Sequence, residues 1–545
     1  MKTKILAFGL AALLGLGSQS CTELEDRSYQ NILADNFKPA PDDAGAILSA
    51  AYVPWRQTML LWNGVVRAQE LTADQDIIPQ RPNGWVDGGV YKRMHEHTWT
   101  SDDEVVRVSW SRTYSGINTC NRVLFQIESG QLDFGENQTS IISELKVLRA
   151  SYYYILVDLF GNVPIITKFD VPEGFVPEQN TRKEVYDFII TEITENIGNL
   201  SEEVNTEYYG RFNKWAAYAL LAKMYLNAEI FSDGNYTEWD ACIDACDEII
   251  DAAKYELEDE QSKVFITKNE NSKEIIFALP FDETYVTDWN AFDFHMYTLQ
   301  PSNQATYGFV DSPWGGVCCI PQFIDSFDPD DERLESSFIY GQQYDMSGNE
   351  LYCTMGTSSG KLLSYINEVP SIDYSEEYHG YRWGKFEYAI GSTNRLSNDF
   401  PIFRYADVLM MKAEALLRDG DANGAAALVT EVRRRNFTDN PDKAVVTGSD
   451  LEGPTTYSYG RRDTYEETYD NVASIEFGRM LDELGWEFCQ EGRRRQDMIR
   501  FGAFTTLSWL SHSKTQEYLN LFPIPKQQRL TNPNLEQNPG YPEDL

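Results

Sequence analysis

The chain is 545 residues long and carries 85 Asp and Glu against 46 Lys and Arg, a formal net charge of −39 at neutral pH. An acidic excess of that size repels phosphate backbones and anionic head groups, which excludes nucleic acid as a partner and any membrane association that relies on charge. Length alone admits several domains, yet no Pro-, Ser- or Gly-rich linker divides the sequence; one body over residues 21–545 is expected, with an N-terminal part at 21–330 and a C-terminal part at 331–545.

Residues 1–20 read as a signal peptide, with Lys2 and Lys4 as the charged start, 5–16 as the apolar run and Gly17, Ser18, Gln19 and Ser20 as the small polar exit before Cys21. That run is shorter than the roughly 20 residues that span a bilayer, and no later stretch reaches such a length without charge. Cys21 behind a small residue resembles the acylation site of bacterial lipoproteins, although Ser18 stands where that pattern usually has Leu. Glu23, Glu25 and Asp26 follow directly and resemble a surface-export signal. An acyl chain on Cys21 would hold a soluble body against a membrane, each buried methylene contributing about 0.8 kcal/mol. The remaining cysteines, Cys120, Cys242, Cys246, Cys318, Cys319, Cys353 and Cys489, are odd in number and contain no C-x-x-C pair, so they are expected to be small core residues.

Helical periodicity then comes in pairs. Residues 142–160 pair with 184–200, and 214–253 holds a second pair with Tyr218, Leu221 and Ala222 on one helix and Ala241, Ala245 and Ile249 on the next. The clearest pair runs over 401–435, where Leu409, Ala413 and Leu416 share a face, Asp419, Gly420 and Asp421 break the helix, and Ala425, Val429 and Val432 continue. The interval from Ala413 to Ala425 matches that between the two small residues of a tetratricopeptide repeat. A fourth pair spans 475–500, broken near Gly492. The fold class expected is mostly α, a tetratricopeptide-like helix-pair scaffold with long loops and a few short strands. Residues 74–103, 280–352 and 354–400 are rich in Gly, Pro, Asn, Asp and aromatics and form the loops, where binding is usually found.

At this point a family resemblance stands out. LRASYYY at 148–154 running on to LFGNVP at 159–164, AYALLAKMY at 217–225, FRYADVLMMKAEA at 403–415, EFCQEGRRRQDMIRFG at 487–502 and FPIPKQQRLTNPNLEQNPGY at 522–541 resemble, in order, the blocks of SusD/RagB-like outer-membrane lipoproteins. Gln496 departs from them, since many relatives carry an aromatic there. The resemblance implies a tetratricopeptide-like scaffold, an outer-membrane lipoprotein facing the cell exterior, partnership with a TonB-dependent SusC-like transporter, and capture of glycan or, less often, peptide. No cofactor is implied. The blocks themselves read as structural: Tyr152, Tyr153 and Tyr154 as packing, and Arg493, Arg494, Arg495 and Arg500 with Glu487, Glu491 and Asp497 as an ion-pair network.

A sugar is held when an aromatic face stacks on the C–H face of the ring while planar polar groups take its hydroxyls. RPNGWVDGGVY at 81–91 offers that combination in Arg81, Asn83, Trp85, Asp87 and Tyr91, and DSPWGG at 311–316 offers Trp314. Trp289 and Tyr297 lie near it in sequence, and Tyr381 and Trp383 close a third aromatic loop. For each ring the other reading is core packing, which is the favoured one for Trp289, Tyr297, Tyr381 and Trp383. His95 and His97 could share one side of a strand, but no third metal ligand is implied by spacing, and Asp328, Asp330, Asp331 and Glu332 lack the EF-hand pattern. A surface glycoside hydrolase would need two positioned carboxylates; H-E-x-x-H and P-loop motifs are absent. Glycan capture without catalysis is the expected function, with peptide capture in the same arrangement as the alternative.

Overall fold

The computed structural model describes residues 44–60, 63–286 and 291–543; the expected signal peptide, Cys21 and Trp289 lie outside these residues. Helices make up 46 % of the structure, bearing out the mostly α expectation. They pack in a row in which each touches the next: Ala44–Leu60, Glu104–Glu128, Gln138–Leu159, Arg182–Asn196, Lys214–Leu226, Trp239–Ala252, Tyr405–Arg418 and Ala422–Arg433. The shorter helices Gly478–Phe488 and Arg494–Arg500 return from the far end to meet Val65–Leu71, which packs on Ala44–Leu60. A main hydrophobic core runs from Leu48 to Leu535. Among the described residues no helix is long and apolar enough to cross a membrane.

Small residues set the spacing within this row. Ala413 and Ala425 are both fully buried between their paired helices. Gly116 does the same for Glu104–Glu128 and Gln138–Leu159, since a methyl group there would fall 2.3 Å from the Tyr152 ring. Helix starts follow capping rules: Thr181 and Glu184 form a capping box, and the Asn213 and Asp421 side chains accept backbone N–H groups at theirs. The seven described cysteines are all buried and free, as small core residues should be.

Three expectations change. Residues 401–404 are not the start of a helix: Phe400–Arg404 is a strand paired antiparallel with Ile275–Leu279, and the helix begins at Tyr405. Arg404 then points into the core, where it binds Glu274, Glu487 and Glu491. Glu487 and Glu491 therefore answer Arg404, Arg435, Arg333 and Lys385 rather than the Arg493–Arg495 run, while Arg493 and Arg500 hold Asp497 and Arg494 holds Asp74. Likewise, His95 ends the helix Val90–His95 and His97 follows in a turn, so the two do not share a strand.

All sheets among the described residues are two-stranded. Asp76–Ile77 pairs with Cys318–Cys319 and Phe338–Ile339 with Arg382–Trp383, both antiparallel. These short ladders bring the three loop regions onto one another and position the site.

Candidate functional site

The loop 81–91 turns on left-handed backbone at Gly84, Asp87, Gly88 and Gly89, and glycine adopts it without a Cβ penalty. Its free end carries Trp85, which is half-buried and lies against the backbone of the other tryptophan loop. A methyl group on Gly316 would fall 2.2 Å from the Trp85 ring, so the glycine is what permits the contact. Trp314 stands perpendicular to Trp85 with centroids 6.4 Å apart and is also half-buried. Asn83 ties the loops together: its Nδ2 donates to the Trp314 carbonyl at 2.8 Å and its Oδ1 accepts the Trp85 N–H at 3.0 Å.

Two buried rings brace Trp85 from behind, Tyr91 at 5.4 Å and Tyr297 at 5.5 Å, both edge-on. The Arg67 guanidinium covers Tyr297 at 3.9 Å and pairs with Asp293 at 3.0 Å. Burial pushes the Asp293 carboxyl up, and the cation beside it opposes that shift. Asp87 is exposed and accepts the Tyr91 hydroxyl at 2.8 Å, while burial raises the pKa of that phenol far above its usual range.

Arg81, Tyr297 and Trp383, read from the sequence as ligand contacts, lie below the surface. Arg81 donates to the carbonyls of Gly316, Glu376 and His379, to Ser375 Oγ and to Cys318 Sγ. Burial, reinforced by Arg382, lowers its pKa to about 9, which leaves it cationic at neutral pH. Trp383 is fully buried; its indole N–H donates to Asp76 at 2.6 Å and its ring sits 6.1 Å from Tyr297. Tyr381 is half-buried and stacks on Tyr340, centroids 4.8 Å apart and planes 17° apart.

Asn83, Trp85, Asp87, Tyr91, Tyr297 and Trp314 are thus brought together, with Arg81 and Trp383 beneath them and Tyr381 paired elsewhere. Sequence reasoning missed Arg67 and Asp293, which sit in segments without a motif, and Tyr340, whose only signal was an aromatic at a strand end. A separate cleft of about 640 Å³ between the helix Ala44–Leu60 and residues 207–211 contains none of these side chains.

Known proteins support the same architecture. Residues 273–541 match the model described as "SusD family", and 64–226 match "Starch-binding associating with outer membrane". The starch-binding protein SusD of Bacteroides thetaiotaomicron is 24 % identical over 442 residues, 73 % of this chain and 72 % of that protein. A laminarin-binding SusD-like protein superposes with a TM-score of 0.69 at 22 % identity, covering 93 % of this chain and 100 % of the other. Surface glycan-binding protein A from Bacteroides thetaiotaomicron, solved in complex with laminarihexaose, gives 0.68 at 18 %, covering 91 % and 99 %. With both halves of its sequence matched and its helical row shared with these structures, the chain belongs to the SusD/RagB-like family.

Proposed function

We propose that the chain captures glycan on the Trp85–Trp314 platform at the outer surface of a bacterial cell, held there by lipid on Cys21, and delivers it to a SusC-like TonB-dependent transporter. The observation that carries the reading is the pair of half-buried, mutually perpendicular indoles, each on a glycine-supported loop, with Trp85 braced from behind by the buried rings of Tyr91 and Tyr297. Such a pair is pre-organised, so little side-chain entropy is lost when a sugar stacks on it. Asp87 at the rim supplies a carboxylate for hydroxyls; Arg81 and Asn83 hold the loops. The relatives named above, which bind starch and laminarin, support the same ligand class, and the outer-membrane association in the description of the matched model supports the location.

Capture rather than hydrolysis is favoured because what converges at the platform is aromatic. Peptide capture is disfavoured by the strands next to it: Asp76–Ile77 and Cys318–Cys319 are two residues long and buried, and on the side away from Asp76–Ile77 the Cys319 N–H already donates to the Tyr381 carbonyl at 2.9 Å, so they offer a peptide no accessible edge. The test is a combined glycan and peptide array on the mature protein and its Trp314→Ala variant, followed by overnight incubation with each bound polysaccharide. Glycan retention lost in the variant, with no new reducing ends, is expected. Retention of peptides alone, or release of oligosaccharides, overturns the reading.

A further inference from the structure

Residues 338–366 build a plate that the family-defining blocks do not include. Gln343, Leu351 and Leu363 exchange backbone hydrogen bonds in a closed ring: Gln343 N–H to Leu363 O at 2.9 Å, Leu363 N–H to Leu351 O at 2.8 Å, and Leu351 N–H to Gln343 O at 2.9 Å. Ribbons leave this junction in separate directions, Gly341–Gln342 with Ser364–Tyr365, Tyr344 with Glu350, and Tyr352 with Leu362. Strand alternation then decides the sides. Leu363, Tyr365 and Cys353 are buried in a small core of their own, packed by Leu351. The residues flanking the junction, Gln342, Tyr344, Glu350, Tyr352, Leu362 and Ser364, take the opposite face.

That face is unusual for its solvent exposure. Tyr340, Tyr344, Tyr352 and Leu362 are 42 %, 46 %, 48 % and 43 % exposed, with Met346 at the ribbon tip at 62 %. Exposed rings and aliphatic groups collected on one flat surface mark a place where something binds. Its charge says what: in a chain of net charge −39, the six flanking positions hold one charged group, Glu350, and its carboxylate accepts the Tyr352 hydroxyl at 3.3 Å. A neutral polyhydroxyl ligand fits rings, an amide and hydroxyls without a cation to answer.

The plate is also continuous with the platform. Arg81 of the Trp85 loop grips residues 375–379, and there Glu376 and Glu377 accept N–H groups from Ser358, Thr354 and Met355 of the plate. Pro82 lies so close to Gly356 that a methyl group on the glycine would fall 2.4 Å from it. On the other flank Tyr340 stacks on Tyr381, two residues from Trp383 under Tyr297.

We propose that the outer face of this plate is a second glycan-binding surface, which takes the flank of an extended neutral polysaccharide while another stretch of the same polymer rests on Trp85 and Trp314. Tyr344 and Tyr352 stand on different ribbons leaving the junction, and the plate meets the platform through residues 354–358 and 375–379 and the Tyr340–Tyr381 stack. The surface therefore distinguishes a polymer from a short oligosaccharide.

The proposal rests on the glycan reading, and the test separates the two. Mature wild type, Tyr344→Ala/Tyr352→Ala, Tyr344→Phe/Tyr352→Phe and Trp314→Ala are run in native gels containing laminarin, starch, xylan or galactan, and titrated with the matching trisaccharide. On the polymer that retains wild type, the double alanine variant binds roughly five- to tenfold more weakly, keeps its trisaccharide affinity, and is rescued by phenylalanine, which restores the ring. Tyr352→Gln alone repeats the measurement if the double variant fails to fold. Polymer retention equal to wild type, a parallel loss of trisaccharide, or a phenylalanine pair as weak as alanine overturns the second surface. If Trp314→Ala loses binding while the double alanine variant keeps it, only this surface falls; if wild type is retained by no polymer, both readings fall.

Discussion

Arg404 and Trp314 stand for two regions that treat water in opposite ways. Around Arg404 the scaffold buries charge completely: Glu274, Glu487, Glu491, Arg435, Arg333 and Lys385 share a dry network whose side chains are at most 5 % exposed. Arg404 and Glu487 each meet several opposite charges, and Glu487 is held well below the usual carboxylate range because the attraction of Arg435, Arg404 and Arg333 outweighs its burial. Around Trp314 the loops leave large apolar rings partly in water. The first region forfeits solvation for a unique arrangement of helices; the second leaves apolar ring surface partly in water, where the proposed glycan would stack.

Removing one member of the buried network tests the first half of this contrast and has the largest effect. Glu487→Ala strands Arg333, Arg404 and Arg435 without their shared anion, and breaking such a network costs about 3–5 kcal/mol. Denaturant unfolding should show that loss. Trp383→Ala belongs to the same class although it lies in the loop region, because the ring is fully buried and its removal also costs about 3–5 kcal/mol. A Trp383 variant as stable as wild type would move the boundary between the two regions below Tyr297.

The next effect is a pH slope, and it separates the site floor from the site. Asp76 accepts the Trp383 indole N–H beneath the platform, and burial pushes its carboxyl up to about 7 against the hydrogen bonds of Trp383 and Cys319. The unfolded value is about 3.9. A folded pKa above the unfolded one means that the folded state holds more protons between these limits; the contribution is full below about 3.9 and is lost as pH rises through 7. Asp76→Asn carries no such proton. Its melting temperature relative to wild type should therefore climb from pH 4 to 8, each unit of retained shift being worth about 1.4 kcal/mol. A difference independent of pH would show Asp76 to be ionised in the fold.

How far the sequence carried these regions differs in the same way. The helix pairs were readable because a 3.6-residue stripe such as Leu409, Ala413 and Leu416 reports burial directly. Even so, the longest helix, Glu104–Glu128, lay outside the predicted pairs despite its stripe of Val106, Trp110, Ile117, Cys120 and Leu124. Residues 401–404 read as helix because apolar residues there continue the helical pattern, whereas the partnership of Phe400–Arg404 with Ile275–Leu279 is long-range and leaves no local trace. In the loops, glycine next to tryptophan pointed to Trp85 and Trp314 as exposed rings, and the structure leaves both half-buried. Trp383 sits in a loop of similar composition, and what fixes it as core is a hydrogen bond to Asp76, 307 positions away. Arg81 looked like a sugar ligand for the property that makes it a brace, a fork of donors that serves carbonyls as well as hydroxyls.

The smallest effect sharpens the contrast within the platform itself. Trp85 touches Tyr91, Tyr297, Trp314 and the Gly316 backbone, so part of its ring already works as core. Trp314 has its backbone fixed by the Met296 carbonyl at 2.7 Å and by Asn83, which leaves its position independent of its ring. Trp314→Ala should therefore keep the melting temperature within a few degrees of wild type while weakening glycan binding several-fold, a stacked ring contributing roughly 0.5–1.5 kcal/mol beyond area burial. Trp85→Ala should lose a similar share of binding and visibly more stability. Titration calorimetry and thermal unfolding on the two variants read both quantities. If Trp314→Ala costs as much stability as Trp85→Ala, its ring is packing in the same sense, and the platform narrows to whichever face Trp85 alone presents.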